Sequence, residues 1–449
     1  MKIIICGGGQ IGQNLIRYLC LDYEVTLIDT DRSILEEAQE QYDIQTIHGS
    51  AADPFILKKA QIQEDSVVVS VTGSDHVNLL ACQMSHFLFK AFLKVARLRH
   101  ESYFADEWQA LIKKKLGISV ILSPEKEAAK TILQNMVVRH AFDVMQFADK
   151  KLTLIGVHAY ERNFFLRISI KDLEASFQLS NGRIACIIRN YRLIIPDAND
   201  QILPGDDVYF LINSDDIIEI MENLGLNQQD VQKVIIFGAT AIGKYIAKNL
   251  EEQEKYDVVM IEENQEEIKK AACILEKTMF LNGSPDNPEV LREAGIDDTG
   301  CTIAVTKNDT INMISSLMAH RFGVQHPISL INHTRYLSPL AVLGIEKMIN
   351  MAQLTVSVIL QHISKDYIKT FFPLEEYAGV VIEAAIRKTS PALKMNFEKI
   401  QQSDRLKILA VRRRDKILGT VSKLEVGDHV IAILLSNEYK RFQKIFEPD

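Results

Sequence analysis

Hydrophobic residues fall along this chain in two rhythms, and each rhythm occurs twice. Short runs rich in Ile and Val lie at Lys2–Cys6, Glu24–Ile28, Ile44–His48, Val67–Val71 and Leu93–Leu98. Their length and β-branching predict strands buried on both faces. Between them the apolar positions recur every three or four residues, as helices require. After Asp75, for example, Val77, Leu80, Ala81 and Met84 share one helical face, and Ile311, Ile314, Ser315 and Met318 repeat it. A further amphipathic helix carries Ala129, Ile132, Leu133, Met136 and Val137, and its later partner carries Val356, Ile359, Leu360 and Ile363. Strands alternating with helices predict a parallel sheet covered on both sides.

The second rhythm is shorter. Strands are predicted at Leu152–Val157, Ile184–Ile188, Leu193–Ile195 and Val208–Ile212, with turns at Asn181-Gly182 and Pro204-Gly205-Asp206. Val380–Ile382, Ile408–Val411, Lys416–Leu418 and Val430–Leu435 repeat this before a final helix. The repetition extends to motifs. Gly7 returns as Gly238, a shift of 231 residues, and Gly49-Ser50 returns as Gly283-Ser284, a shift of 234. Thr72, Asp75 and Asn78 return as Thr306, Asp309 and Asn312, again at 234, and Gly205-Asp206 is echoed by Gly427-Asp428 at 222. Such ordered echoes mark an internal duplication. The expected fold class is therefore α/β, in two tandem repeats, each a Rossmann-like doubly wound parallel sheet followed by a small α+β domain. The expected spans are 1–140 and 227–366 for the sheet lobes, and 141–226 and 367–449 for the small ones.

Candidate chemistry centres on the glycines. Gly7-x-Gly9-x-x-Gly12 follows a strand and opens a helix, as the dinucleotide fingerprint requires. Gly7 permits a tight turn, Gly9 lets backbone approach phosphate, and Gly12 lets helix and sheet pack closely. Phosphate then meets free N–H groups at the positive end of the helix. Asp29 occupies the expected acidic position at the end of the next strand, where a carboxylate accepts from ribose hydroxyls. It suits NAD, ADP and ATP alike, and it disfavours NADP. The second loop keeps Gly238, Gly243 and the acidic Glu262, but Thr240 replaces the middle glycine. That loop runs into Lys244-Tyr245, near a P-loop pattern, yet Tyr245 lacks the small hydroxyl that ligates Mg²⁺ and the near-match is read as incidental.

Thr72 and Asp75, with Thr306 and Asp309 in the second copy, fall at the carboxyl end of the fourth strand. These aspartates are expected to cap the helix, to contact ligand, or to do both. Arg97 and Arg99 end the fifth strand and offer charge-assisted donors to phosphate. Leu330 and Asn332 replace them in the second copy, so the first half keeps the fuller site.

Composition removes other classes. A net charge of −8 disfavours nucleic acid and anionic lipid as partners. No apolar stretch approaches the roughly 20 residues of a membrane span, so attachment to a membrane requires another protein. The six cysteines form no C-x-x-C pair and read as reduced thiols, several within apolar runs. The eleven histidines show no metal-ligand spacing, and no G-x-S-x-G elbow occurs. No catalytic set emerges. The basic turn Arg412–Lys416 reads as a solvated hairpin.

Together, Lys2–Ile5 leading into Gly7–Gly12, Val71-Thr72-x-x-Asp75-x-x-Asn78 with Ala81-Cys82-Gln83, Ser123-Pro124-Glu125, and Gly427–Ile431 resemble the TrkA family of bacterial Trk potassium-uptake regulators. The resemblance covers essentially the whole chain and implies two tandem regulator-of-potassium-conductance units. It implies a homo-oligomer, commonly a tetramer, forming a ring on the cytoplasmic side of an integral membrane potassium-translocating subunit. NAD(H) or ATP/ADP would set the ring's shape and hence potassium uptake. Gly7, Gly9, Gln10, Ile11 and Gly12 would cradle phosphate and Asp29 hold ribose, with Thr72, Asp75, Arg97 and Arg99 completing the site. Gly238, Gly243, Glu262 and Thr306 would form its counterpart. The rival readings are an NAD-dependent oxidoreductase and a nucleotide sensor for another cation transporter.

Overall fold

The computed structural model describes every residue except 21–22, 139, 162, 164, 177–182, 191, 227–230, 333–342, 344, 346, 364–366, 375–378, 398–399, 401–404, 420, 436–437 and 449. The turn expected at Asn181-Gly182 lies outside the described residues. Among the described residues four sheets form: two six-stranded parallel sheets and two five-stranded antiparallel ones.

In each parallel sheet the strands, counted in chain order, lie in the order 3-2-1-4-5-6. This is the doubly wound arrangement, whose switch point falls between the first and fourth strands. In the first sheet Lys2–Cys6 pairs with Glu24–Asp29 on one side and with Val67–Ser70 on the other. Ile3, Ile4, Ile5, Val67, Val68 and Val69 are fully buried, which explains why these strands read as continuous apolar runs. The second sheet repeats the pairing with Lys233–Phe237 between Asp257–Glu262 and Cys301–Ala304. Two three-residue strands, Val120–Leu122 and Lys347–Ile349, close the edges and were too short to show in the hydrophobic pattern.

Each antiparallel sheet holds one further strand that the pattern missed, at Asp143–Phe147 and at Ile368–Leu374. The inner faces of these two sheets share one core. Phe147, Leu154, Cys186 and Tyr209 pack there with Phe372, Val381, Leu409 and Ile431. The buried carboxylate of Glu383 joins them by accepting the Ala148 N–H at 2.8 Å.

The chain forms two compact units. One comprises Met1–Ala128 and Asn350–Ile363; the other comprises Ala129–Ile349 and Ser364–Asp449. In the first, the helix Met351–Ile363 packs on the helix Gln10–Leu19 and buries Val356, Ile359 and Leu360. Each such side chain contributes about 1.5–3 kcal/mol by leaving water. In the second unit, the buried Lys347 ammonium donates to the Asn135 and Val138 carbonyls at 2.5 and 2.6 Å. A cation there satisfies orphan carbonyls at the end of the helix Pro124–Val137 and complements its dipole. Of the six free cysteines, Cys6, Cys82, Cys186 and Cys301 are buried, whereas Cys20 is half-buried and Cys273 exposed.

Candidate nucleotide-binding site

The loop between the first strand and first helix is built by its glycines. Gly7 has φ of +106°, a region that side chains rarely adopt, and packs against the Thr72 backbone. A Cβ on Gly12 would overlap the Gly7 carbonyl oxygen, so helix and strand approach as closely as they do only without one. Gly9 differs from both. Its φ and ψ of −65° and −172° suit any residue, and a Cβ there would meet nothing within 4 Å. The absent side chain leaves open space above the loop, which is where a phosphate would lie. Gly9 stands at the N-cap of the helix Gln10–Leu19 and makes no side-chain cap, so the first N–H groups lack that partner. Ile11 is buried in the core and offers the site only its backbone, while Gln10 is exposed.

Asp29 closes the other side. Its Oδ2 accepts from the Gly8 N–H at 2.6 Å and its Oδ1 from the Asp31 N–H at 2.9 Å. These bonds fix the carboxylate beside the glycine loop and leave lone pairs for ribose hydroxyls.

The Thr72–Asp75–Asn78 motif is a latch. Asn78 accepts from the Thr72 hydroxyl at 2.7 Å and donates to the Arg97 carbonyl at 2.9 Å. Asp75 accepts from the backbone N–H groups of Arg99 and His100. Asp75 therefore does not cap the helix Asp75–Phe89; Ser74 does, accepting from the Val77 N–H. The second copy is the same, with Asn308 as cap and Asp309 accepting from Asn332. Thr306 and Asn312 reproduce the Thr72–Asn78 bond at 2.7 Å. The motif thus holds the ends of the fourth and fifth strands at the crevice in both halves.

The fifth strand ends at Arg97, and Arg99 lies two residues beyond it, exposed. Arg97 is buried, and its nearest acid is Glu125 at 3.8 Å. Among the described residues its Nε has no hydrogen-bond partner, and neither has the Glu125 Oε2. Burial pushes the guanidinium below its ordinary pKa, the Arg99 charge adds to this, and Glu125 and Asp75 oppose it. An arginine stays charged regardless. The result is a loosely paired buried cation at the carboxyl edge of the sheet. Glu125 belongs to the Ser123-Pro124-Glu125 motif, and nothing in its spacing signals a role beside Arg97.

The second loop has the same frame, with Gly238 at φ of +105° and a Gly243 Cβ excluded by the Gly238 carbonyl. Glu262 accepts from the Ala239 and Asn264 N–H groups at 2.8 and 3.0 Å, as Asp29 does from Gly8 and Asp31. Thr240 changes the helix start. Its hydroxyl accepts from the Gly243 N–H at 3.2 Å and donates to the Val305 carbonyl at 2.9 Å. An N–H left open in the first copy is occupied in the second. Even so, a crevice of about 540 Å³ opens here, lined by Thr240, Lys244, Glu262, Pro285, Thr306 and Lys307 among others. Lys244 and Lys307 are not among the residues expected from sequence at this site. Position-by-position comparison of the repeats is the signal that finds them.

The TrkA-N domain matches residues 3–124 and 234–351. The Trk system potassium uptake protein TrkA of Azorhizobium caulinodans is 30% identical over 99% of this chain and 98% of its own. Those of Halomonas elongata and Vibrio alginolyticus are each 29% identical over 100% of this chain and 99% of theirs. Among solved structures, the GsuK RCK domain aligns at a TM-score of 0.60 and 16% identity, covering 99% of this chain and 94% of that one. The GsuK channel bound to NAD aligns at 0.59 and 16%, covering 99% and 78%. These two likenesses establish the fold, while the matched domain copies and the full-length relatives establish descent. The chain belongs to the TrkA family of Trk-system potassium uptake proteins.

Proposed function

We propose that this chain is the nucleotide-responsive regulatory subunit of a Trk-type potassium uptake system, binding NAD(H) or ADP/ATP in its first crevice. The observation that carries the reading is the first glycine loop. There an uncapped helix start, open space above Gly9 and the fixed Asp29 carboxylate converge within a family of potassium uptake proteins. Arg97, buried with an unpartnered Nε, supports a polyphosphate ligand beside them. No helix among the described residues is long and apolar enough to cross a membrane, which fits action through an integral membrane partner on the cytoplasmic face. The ligand acts by binding rather than by reacting.

In this reading the chain works as a tetrameric ring, its four lobes spanning 1–140, 141–226, 227–366 and 367–449. A ligand moves such a ring only through unequal affinity for its conformations. A preference of about 1.4 kcal/mol at each of four sites compounds to about 5.6 kcal/mol, enough to invert a 1:99 population. Calorimetric titration of NADH and ADP into wild type and Asp29→Ala tests the site. Affinity should fall about tenfold or more in the variant, and equal affinity would place the ligand elsewhere.

A further inference from the structure

The second crevice carries cations at positions where the first has none. Lys244 and Lys307 line it, and their counterparts in the first repeat are Gln13 and Gly73. Conversely, Arg97 and Arg99 are replaced by Leu330 and Asn332. The positive charge has moved rather than vanished. It leaves the end of the fifth strand for the first turn of the helix Ala241–Glu252 and the loop after Cys301–Ala304.

Neither lysine is consumed by a tight ion pair with the acids of the crevice. Lys244 stands 3.7 Å from Glu267, whose closer partner is Lys270 at 2.8 Å. The Lys270 hydrogen bond is the main influence holding Glu267 below the usual carboxylate range, and Lys244 and Lys307 add to it. Lys307 is exposed. Glu262 is fixed by two backbone N–H groups in the manner of Asp29, so a ribose acceptor is in place.

Thr240 limits what else fits. Its side chain stands where Gly9 leaves open space, and its hydroxyl takes the Gly243 N–H. A pyrophosphate lying along the loop would meet that side chain and find a donor already engaged. A single phosphate attached directly to the ribose avoids the loop and needs cations at its flank. A volume of about 540 Å³ is in the range of small-ligand clefts.

We propose that the second crevice is a separate site for a nucleoside 5′-monophosphate, its ribose on Glu262 and its phosphate between Lys244 and Lys307. The two halves then differ in ligand class: the first takes a pyrophosphate, the second a monophosphate. This deepens the proposed function, yet it does not depend on what occupies the first crevice.

The test is calorimetric titration of AMP into the full-length protein, with saturating NADH present to fill the first crevice. AMP should still bind, and adenosine should bind at least about tenfold more weakly. The double variant Lys244→Gln/Lys307→Gln should lose about tenfold or more in AMP affinity while its NADH affinity and melting temperature stay unchanged. Asp29→Ala should show the reverse, with AMP retained and NADH weakened. The proposal is overturned if wild type does not bind AMP, if NADH displaces it one for one, or if the double variant binds AMP within twofold of wild type. NADH failing to bind while AMP binds through the lysines would sink the reading of the first crevice and leave this one standing.

Discussion

Replacing Gly9 with threonine should separate the loop's stability from its ligand affinity. The second repeat shows what the substitution does. Thr240 has φ and ψ of −72° and 173°, against −65° and −172° for Gly9, so the backbone already accepts the residue. A Cβ at Gly9 meets nothing within 4 Å, and the hydroxyl can reach the Gly12 N–H as Thr240 reaches Gly243. Threonine and glycine are close as N-caps, and losing a glycine restricts the unfolded chain. The expected change in folding free energy therefore lies between zero and about 1 kcal/mol in favour of the variant. Binding should move the other way. A hydrogen bond from backbone N–H to a charged phosphate contributes about 1.5–3 kcal/mol, and the variant diverts one such donor. The dissociation constant for NADH or ADP should rise about 10- to 100-fold. Thermal melting without ligand and calorimetric titration with it read the two effects independently. Affinity within threefold of wild type at an unchanged melting temperature would refute phosphate binding on this loop.

Three further outcomes follow from the structure. Gly12→Ala places a Cβ on the Gly7 carbonyl oxygen, backbone against backbone, and should destabilise the unit by about 1–3 kcal/mol in denaturant unfolding. Lys347→Met strips the donor from the Asn135 and Val138 carbonyls and should cost about 2 kcal/mol; an unchanged unfolding midpoint would mean those carbonyls find other donors. Although Asp143 as a whole is half-buried, desolvation of its carboxyl pushes it up to about 7, against the hydrogen bond from Tyr209. The folded state then keeps a proton that the unfolded chain releases near pH 4, so stability from this group falls as pH rises from about 4 to 7. Asp143→Asn should flatten that slope in melting temperatures recorded across the interval, and an identical slope would contradict the assignment.

Much of the fold was legible because its signals are local. Buried parallel strands such as Val67–Ser70 need apolar side chains on both faces, and the glycine loop needs glycines at Gly7 and Gly12 for steric reasons that leave no substitute. What stayed hidden depends on tertiary partners. The strand Asp143–Phe147 carries Asp and Gln at half-buried positions, so its alternation is weak. The apolar face of Met351–Ile363 announces burial, but nothing in its sequence says that it packs on the helix Gln10–Leu19, far away in the chain. At the site, Asp29 was readable from its register. Asp75 was readable as a helix cap, a ligand contact or both; Ser74, one residue earlier and equally suited to capping, takes the cap and leaves Asp75 to the Arg99 and His100 N–H groups. Lys244 and Lys307 stand out in sequence against Gln13 and Gly73 of the first repeat, but only the fold brings them to one opening.

The most direct test of the regulatory reading is rubidium flux through proteoliposomes holding a Trk-type membrane subunit with this chain added. Flux should change with NADH or ADP when wild-type chain is present, and Asp29→Ala should shift that response to about tenfold higher nucleotide or abolish it. Nucleotide-independent flux with wild type, or an unshifted response in a folded Asp29→Ala variant, would contradict control through the first crevice.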